Sequence, residues 1–174
     1  MRIPRPGRTA AAVAAITALG AALRFATLAH QSLWLDELYT RWLVTLPREW
    51  MLEEIPRTER TPYLYYLVQH EWVRVFGASE AGLRSLSALA GTATIPFAYL
   101  AGAALVTRRA GLTAAVLVAV NPFLVWYSQE ARAYALATLF VAAGLAFAAQ
   151  AHRGSTLAVF GWGIASALAI ATHY

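Results

Sequence analysis

The chain has 174 residues, of which 59% are hydrophobic and only 13% are charged. A soluble domain carries about 25% charged residues, so this composition excludes an ordinary soluble globule, and the abundance of apolar side chains excludes disorder. The absence of cysteine excludes disulfides, a thiolate metal site and a thiol nucleophile. The net charge is +5, but eight of the nine acidic residues lie between residues 36 and 80. This segregation indicates a membrane protein with one polar segment and argues against a nucleic-acid-binding protein.

Apolar stretches of about 17–25 residues can span a bilayer as helices. The sequence therefore predicts an all-α, polytopic integral membrane protein with about five transmembrane helices. Pro96 and Pro122 fall inside the second and third of these spans, where membrane helices tolerate a kink. The expected spans are 9–29, 85–106, 110–127, 133–151 and 155–174, and the expected outer loop is 30–84.

Short arginine-bearing segments predict the orientation in the membrane. If the N-terminus is cytoplasmic, the arginines at 2, 5 and 8, at 108–109 and at 153 all lie on the cytoplasmic side. The loop 30–84 and the turn around Glu130 then face outward from the plasma membrane. A cleaved signal peptide is the alternative for the first stretch, although Arg24 and the lack of a clear A-x-A site argue against it.

The outer loop carries an amphipathic pattern. Thr61-Pro62 is typical of a helix N-cap followed by proline at the first helical position. Apolar residues then recur at helical spacing as far as Gly77, which is a candidate C-cap. The opposite face is polar, so the pattern predicts a helix over 61–76 that lies along the membrane surface.

Asp36 and Glu37 are adjacent carboxylates just beyond the outer end of the first span. Such a pair can bind a divalent cation, or act as a general base and the group that orients it. The competing interpretation is a solvated, acidic start of a helix. The residue pair alone leaves both interpretations open.

Three arginines, Arg24, Arg84 and Arg132, lie at the outer ends of spans one, two and four, against the positive-inside tendency. Because guanidinium groups bind phosphate in a forked geometry, the three together indicate a lipid-phosphate site in the outer leaflet. Alternatively, each arginine extends to the headgroups or pairs with a neighbouring acid.

Two further polar groups are expected at the outer surface. The turn 128–134 brings Glu130 and Arg132 there and contains Tyr134 as a further candidate, unless it is only a short polar connection. His173 ends the last span on the same side, where a lone histidine is more often a hydrogen-bonded packing residue than a ligand.

Taken together, these segments resemble the GT-C glycosyltransferases that use polyprenyl-phosphate sugars, above all the protein-O-mannosyltransferase-like families and the lipid A aminoarabinose transferases. The resemblance implies a multi-span enzyme whose active site lies on the outer face of the membrane. The matching segments are SLWLDELYT (32–40), ERTPYLYYL (59–67), FGASEAGLRSLSALAG (76–91), NPFLVWYSQEARAYAL (121–136) and THY (172–174).

The resemblance also implies roles for individual residues. The catalytic carboxylate of the family maps onto Asp36, with Glu37 beside it. Glu59 and Arg60 match a metal ligand and a phosphate ligand of the aminoarabinose branch, although Thr61 stands where that branch has proline. The acid of the second outer loop maps onto Glu130. Because family members are several times longer, the chain is expected to be the N-terminal part of a GT-C transmembrane domain, 1–174.

The expected reaction transfers a mannose-like hexose or a pentose from a polyprenyl phosphate carrier to a hydroxyl of a lipid, a glycan or a protein. Asp36 is the expected general base. Arginines 24, 60, 84 and 132 are expected to stabilise the leaving phosphate, with a divalent cation on Glu59 as the one cofactor considered. The alternatives are a transporter or flippase subunit and a non-catalytic scaffold. The midspan residues are Ala, Leu, Val and Gly, whereas a transporter is expected to bury ionisable groups there.

Overall fold

The structure is a computed structural model that describes residues 6–59 and 61–173. Within these ranges every regular element is an α-helix, which confirms the predicted all-α class. Arg2, Arg5, Arg60 and Tyr174 lie outside the described residues. The helices are α1 (Pro6–Phe25), α2 (Leu35–Thr45), α3 (Arg48–Thr58), α4 (Leu64–Phe76), α5 (Glu80–Leu105), α6 (Arg108–Val120), α7 (Pro122–Tyr127), α8 (Tyr134–His152) and α9 (Thr156–Thr172).

Three of the described helices, α1, α5 and α8, are long and apolar enough to cross a membrane. The helix α9 is also apolar but has only 17 residues. The 13 residues of α6 extend about 20 Å at 1.5 Å per residue, less than the roughly 30 Å hydrocarbon core of a bilayer. The helices therefore confirm a polytopic membrane protein, and the number of five spans stays a prediction.

The predicted third span, 110–127, is two helices and not one. The helix α6 ends at Val120, Asn121 is extended, and α7 begins at Pro122. Proline lacks an N–H group and disfavours the helical conformation of the preceding residue. The Asn121 side chain caps α7 by accepting a hydrogen bond from the Leu124 N–H at 3.1 Å. The kink expected at this proline is therefore a complete break.

The predicted amphipathic helix is present but begins later than predicted. The helix α4 starts at Leu64, so Thr61 and Pro62 lie in the turn before it, and the N-cap assigned to Thr61 is wrong. The end is as predicted, because Gly77 closes the helix in the left-handed region with φ 79°. An orientation along the membrane surface stays a prediction.

An apolar cluster joins α2, α3 and α4 to the first turns of α5 and α8. Its most buried members include Leu43, Met51, Ile55 and Leu83, each with no exposed surface. Burial of one such side chain contributes roughly 1.5–3 kcal/mol. The segment 35–76 is therefore a packed part of the fold, and it holds the first turn of α2 against the starts of α5 and α8.

The membrane part packs through small residues. A side chain at Gly111 of α6 would collide with the backbone of α5 at Tyr99, and one at Gly102 would collide with Gly111. Close backbone approach at glycine and alanine is typical of helices packed in lipid. Ile95, Ala115 and Ala119 form a smaller buried cluster where α5 meets α6.

Candidate active site

The structure distributes the sequence-predicted site residues over three neighbouring groups. They lie where the end of α1 and the starts of α5 and α8 meet the segment 35–76. The buried cation Arg24 lies apart from all three, and Arg60 is outside the described residues. The first group is Glu37, Arg84 and Glu130, the second is Asp36, Glu59 and Arg132, and the third is Tyr134 and His173.

Glu37 forms a forked ion pair with Arg84 in the interior of the protein. Arg84 Nε donates to Glu37 Oε1 at 2.8 Å, and Arg84 Nη2 donates to Oε2 at 2.6 Å. Glu37 is 0% exposed and also accepts from the backbone N–H groups of Ala131 at 2.9 Å and Trp34 at 3.3 Å. A buried carboxylate needs such partners because an unpaired charge there is strongly destabilising. The pair therefore joins the first turns of α2 and α5 to the segment before α8.

The remaining N–H groups of Arg84 hold the chain that leaves α1. Nη1 donates to the carbonyls of Leu28 at 2.8 Å and Gln31 at 2.7 Å, and Nη2 donates to the carbonyl of Ser32 at 3.1 Å. Together with the two bonds to Glu37, these contacts use all five guanidinium N–H donors. In this arrangement Arg84 has no donor left for a phosphate.

Glu59 and Arg132 form a second forked pair, which is mostly buried. Arg132 Nη1 and Nη2 lie 3.1 and 3.0 Å from the two Glu59 carboxylate oxygens. The side chains are 13% and 9% exposed. Burial alone would lower the pKa of Arg132, but its hydrogen bonds to Glu59 together with the negative charges of Glu59, Asp36 and nearby Tyr66 outweigh burial and hold this pKa above its usual value. The pair connects the end of α3 to the segment before α8.

Asp36 lies in the first turn of α2, beside this second pair. Its backbone carbonyl accepts from Thr40 Oγ1 at 3.0 Å and from Arg132 Nη1 at 3.4 Å. The side chain is half-buried. Within residues 6–59 and 61–173 its carboxylate has no hydrogen-bond or ion-pair partner, whereas Glu37 and Glu59 are both neutralised by an arginine. Asp36 is therefore the acid of this group that is available to another molecule.

Glu130 is a buried carboxyl group with one satisfied oxygen. Trp126 Nε1 donates to Oε1 at 2.6 Å, while Oε2 has no partner among the described residues, and the residue is 8% exposed. Burial raises the pKa of Glu130, and nearby Glu37 adds to this effect, while the Trp126 hydrogen bond and two arginines oppose it. Glu130 therefore holds a proton more strongly than an ordinary glutamate.

A cavity of about 660 Å³ opens beside the first group. Its size is typical of small-molecule sites. Two tryptophan rings, Trp34 and Trp126, line it and are 47% and 56% exposed. Asp36 is not among its lining residues, so the expected site is divided between this cavity and the surface beside Arg132. The lining residues are Thr27, His30, Gln31, Ser32, Trp34, Glu37, Arg84, Trp126, Gln129 and Glu130.

Tyr134 and His173 contact each other at the ends of α8 and α9. Their ring centroids are 5.5 Å apart, and the Tyr127 ring lies 5.0 Å from that of Tyr134. This aromatic group joins the end of α9 to the end of α7 and the start of α8. Its contacts are those of packed rings, and neither polar tip reaches the two ion pairs through a hydrogen bond in the described part of the chain.

The described residues give limited support for a metal ion on Glu59. Both carboxylate oxygens of Glu59 face Arg132. No group of three histidine or acidic side chains that could hold a metal occurs among residues 6–59 and 61–173. The neighbouring Arg60 lies outside those ranges.

Two polar residues of this region had no role in the sequence interpretation. Gln129 Nε2 donates to the carbonyls of Leu23 at 3.0 Å and Arg24 at 3.2 Å, and to Thr27 Oγ1 at 2.8 Å. Ser128 accepts from Arg24 Nε at 3.1 Å. The only sequence signal was a polar pair directly after an apolar run. Their partners lie more than 100 residues away, so spacing could not reveal them.

Comparison with known families identifies a match to this chain. The family described as dolichyl-phosphate-mannose-protein mannosyltransferase matches residues 60–174, which is well over half of the chain. The matched range contains Arg84, Glu130 and Arg132, whereas Asp36, Glu37 and Glu59 precede it. Neither a comparison with curated proteins nor one with solved structures finds a match.

Proposed function

The chain belongs to the dolichyl-phosphate-mannose-protein mannosyltransferase family, and we propose that it transfers a monosaccharide from a polyprenyl phosphate carrier to a hydroxyl group at the outer face of the membrane. Family membership identifies a membrane glycosyltransferase in general terms. The carrier, the outer location and the acceptor classes, which are a lipid, a glycan or a protein, belong to the proposal.

The single observation that carries this proposal is the state of Asp36. Its carboxylate has no partner in the described part of the chain, while its backbone is fixed by Thr40 and Arg132. A general base must be accessible to the proton it accepts and held in a constant position. Glu37 and Glu59 meet the second condition only, because their oxygens are occupied by arginines.

In the proposed reaction the acceptor oxygen attacks the anomeric carbon of the carrier-linked sugar. The bond from this carbon to the phosphate oxygen breaks as the new glycosidic bond forms. Asp36 accepts the proton of the acceptor hydroxyl, and the polyprenyl phosphate departs with the bonding electron pair. Because attack and departure occur on opposite faces of the sugar, the anomeric configuration is inverted.

The departing phosphate gains negative charge, so cationic groups near it lower the barrier. Arg132 is our candidate, because it lies beside Asp36 and keeps 13% of its side chain exposed. Arg60 remains a second candidate from the family resemblance. We assign Arg84 a positioning role, since its five N–H groups already bind Glu37 and three carbonyls.

The cavity beside Glu130 is the proposed place for a sugar ring. Two partly exposed tryptophan rings, Trp34 and Trp126, offer the broad apolar faces that the C–H side of a sugar contacts. His30 and Gln129 supply polar groups at its wall. Glu37 is shared by the cavity wall and the helix turn that carries Asp36, so the sugar would lie next to the base.

The test is a transfer assay with radiolabelled polyprenyl-phosphate sugars and membranes that contain the full-length protein. Asp36→Asn keeps the size of the side chain but removes the proton acceptor, so the rate should fall by about 10²–10⁴-fold while binding of the carrier survives. Asp36→Glu should retain part of the rate. Near-normal turnover of Asp36→Asn would disprove the assigned base.

Two further experiments test the role of Arg132 in binding the phosphate and the need for a divalent metal ion. Arg132→Gln should weaken binding of the carrier, whereas exchange of the exposed Arg153 for glutamine is the control and should change nothing. Addition of a chelator tests whether the reaction needs a divalent cation. If Arg132→Gln binds the carrier normally, the phosphate is held by other residues.

A further inference from the structure

Arg24 is the most deeply buried cation of the described chain. It lies in the last turn of α1, inside a helix that is long and apolar enough to span a membrane, and it is 0% exposed. A charged side chain within a span is costly and therefore occurs where it has a specific partner or task. The partners of Arg24 are all neutral oxygen atoms, so its task is not charge compensation.

The break between α6 and α7 explains two of these partners. In a continuous helix the carbonyl of Val118 would accept from the N–H of residue 122, but Pro122 has none. The carbonyl of Ala119 likewise loses its partner, because Phe123 belongs to the new helix. Arg24 Nη2 donates to the Val118 carbonyl and Nη1 to the Ala119 carbonyl, each at 3.0 Å. The guanidinium thus replaces the helix hydrogen bonds that the break removes.

The same guanidinium holds the other side of α7. Arg24 Nε donates to Ser128 Oγ at 3.1 Å, and Ser128 in turn donates to the carbonyl of Leu124. Space around this contact is limited, because a side chain added at Gly91 of α5 would collide with both Ser128 and Arg24. Gln129 adds its own hydrogen bonds to the end of α1. The turn of α7 is therefore fixed between α1 and α5.

The segment 121–131 continues directly from this anchor to the site. Three residues after Ser128, the Ala131 N–H donates to Glu37 Oε1 at 2.9 Å. Glu37 is the neighbour of Asp36 in the first turn of α2. One end of the segment is thus held by Arg24, and its other end holds the helix turn that carries Asp36.

We infer that Arg24 is a positioning residue for sugar transfer, which acts on Asp36 through the segment 121–131 and does not bind the carrier phosphate. This inference rests on the proposed function. It distinguishes Arg24 from Arg132, although both are arginines near the outer ends of spans.

The test compares steady-state kinetics of Arg24→Gln, Arg24→Lys and Ser128→Ala in the full-length enzyme. Displacement of a catalytic group by about 1 Å can cost about 10²-fold in rate, so kcat of Arg24→Gln should fall by up to this factor while KM for the carrier stays near normal. Arg24→Lys retains N–H donors for the carbonyls and should recover part of kcat. Ser128→Ala leaves the fold and Arg24 in place and should lower kcat more mildly.

A double variant makes the route of the effect measurable. If Arg24 acts through Ser128, the two losses should not multiply in Arg24→Gln/Ser128→Ala. Fully multiplicative losses, or a raised carrier KM with unchanged kcat in Arg24→Gln, would overturn the inference, and the second result would make Arg24 a phosphate ligand.

Amide hydrogen exchange separates this inference from the proposed function. Arg24→Gln should speed exchange in peptides that cover 121–131, and exchange of Arg153 for glutamine should not. If the wild-type protein transfers no sugar while this protection is lost as expected, the proposed function fails and the anchoring role of Arg24 stands. If exchange is unchanged, Arg24 does not hold the segment.

Discussion

Arginines occupy the two ends of the helix bundle in contrasting ways. At the end that meets the segment 35–76, Arg24, Arg84 and Arg132 are enclosed by carbonyl and carboxylate oxygens. At the opposite end, Arg108 and Arg153 are exposed, and their side chains make no hydrogen bond or ion pair within residues 6–59 and 61–173. The arginines at the first end therefore stabilise the fold through hydrogen bonds, whereas those at the opposite end are exposed.

This contrast shows that the position of an arginine at the end of a span does not determine whether its guanidinium group is free to bind a phosphate. All three enclosed arginines share the sequence feature that favours a phosphate site. Their hydrogen bonds separate them, because Arg84 has no free donor and Arg24 serves a broken helix, while Arg132 remains partly exposed beside Asp36. The count of engaged N–H groups is thus a better guide to function than the location alone.

The largest expected effect concerns the sidedness of the two ends. The chain has no native cysteine, so a single cysteine introduced at Glu53 or at Arg109 reports only its own position. Both sites are exposed. In intact cells an impermeant thiol reagent should label the variant at Glu53 and leave the variant at Arg109 unlabelled, because short arginine-rich loops stay cytoplasmic.

Permeabilised cells provide the control, since both cysteines should then react. The opposite pattern in intact cells would place the acidic segment in the cytoplasm. The contrast between the two ends would persist, but the proposed outer location of sugar transfer would be lost.

The second prediction concerns the free energy of unfolding. It compares removal of an enclosed arginine with removal of an exposed one. Arg84→Ala leaves the buried Glu37 carboxylate without its cation, which typically costs 3–5 kcal/mol. Arg108→Ala removes an exposed side chain and should change the free energy of unfolding by about 0.5 kcal/mol or less. Unfolding by sodium dodecyl sulfate in mixed micelles measures both variants under the same conditions.

A double variant tests whether the penalty comes from the unpaired charge. Glu37→Leu with Arg84→Met replaces the pair by apolar groups of similar size and should recover the part of the loss that comes from the unpaired charge, while the carbonyls of Leu28, Gln31 and Ser32 still lack their donor. Equal stability of Arg84→Ala and Arg108→Ala would show that the buried pair contributes nothing to the fold.

Much of the fold follows from local sequence signals. Apolar stretches of sufficient length predict helices, and the structure places α5 at Glu80–Leu105 and α8 at Tyr134–His152 against expected spans of 85–106 and 133–151. The capping glycine Gly77 is also local in origin. The extra turn at the start of α5 comes from the Ser79 side chain, which accepts from the Gly82 N–H at 3.2 Å.

Pairings between distant residues could not be predicted in this way. The adjacent acids Asp36 and Glu37 are equivalent in sequence, but a helix turn directs them to different neighbours, so one is buried against Arg84 and the other remains accessible. The break at Asn121 is larger than the kink that the sequence predicts, since membrane helices tolerate prolines in spans. The donor for the carbonyls that the break leaves free is Arg24, which lies 94 residues from Val118.

The smallest effect concerns Glu130, whose oxygen Oε2 lacks a partner among the described residues. Because burial raises the pKa of Glu130 in the folded protein above its unfolded value, its contribution to stability is fully present below the usual pKa of glutamate, about 4.3. This contribution is lost as the pH rises through the raised pKa.

Glu130→Gln cannot ionise, and its amide oxygen can still accept from Trp126. The wild-type protein should therefore lose melting temperature relative to Glu130→Gln as the pH rises from about 4 to about 8. A difference of 1 kcal/mol shifts the melting temperature of a chain of this length by about 2–4 °C, so a matched series with the exposed Glu49→Gln is needed as the baseline. Parallel curves for wild type and Glu130→Gln would show that Glu130 titrates like a solvated carboxyl group.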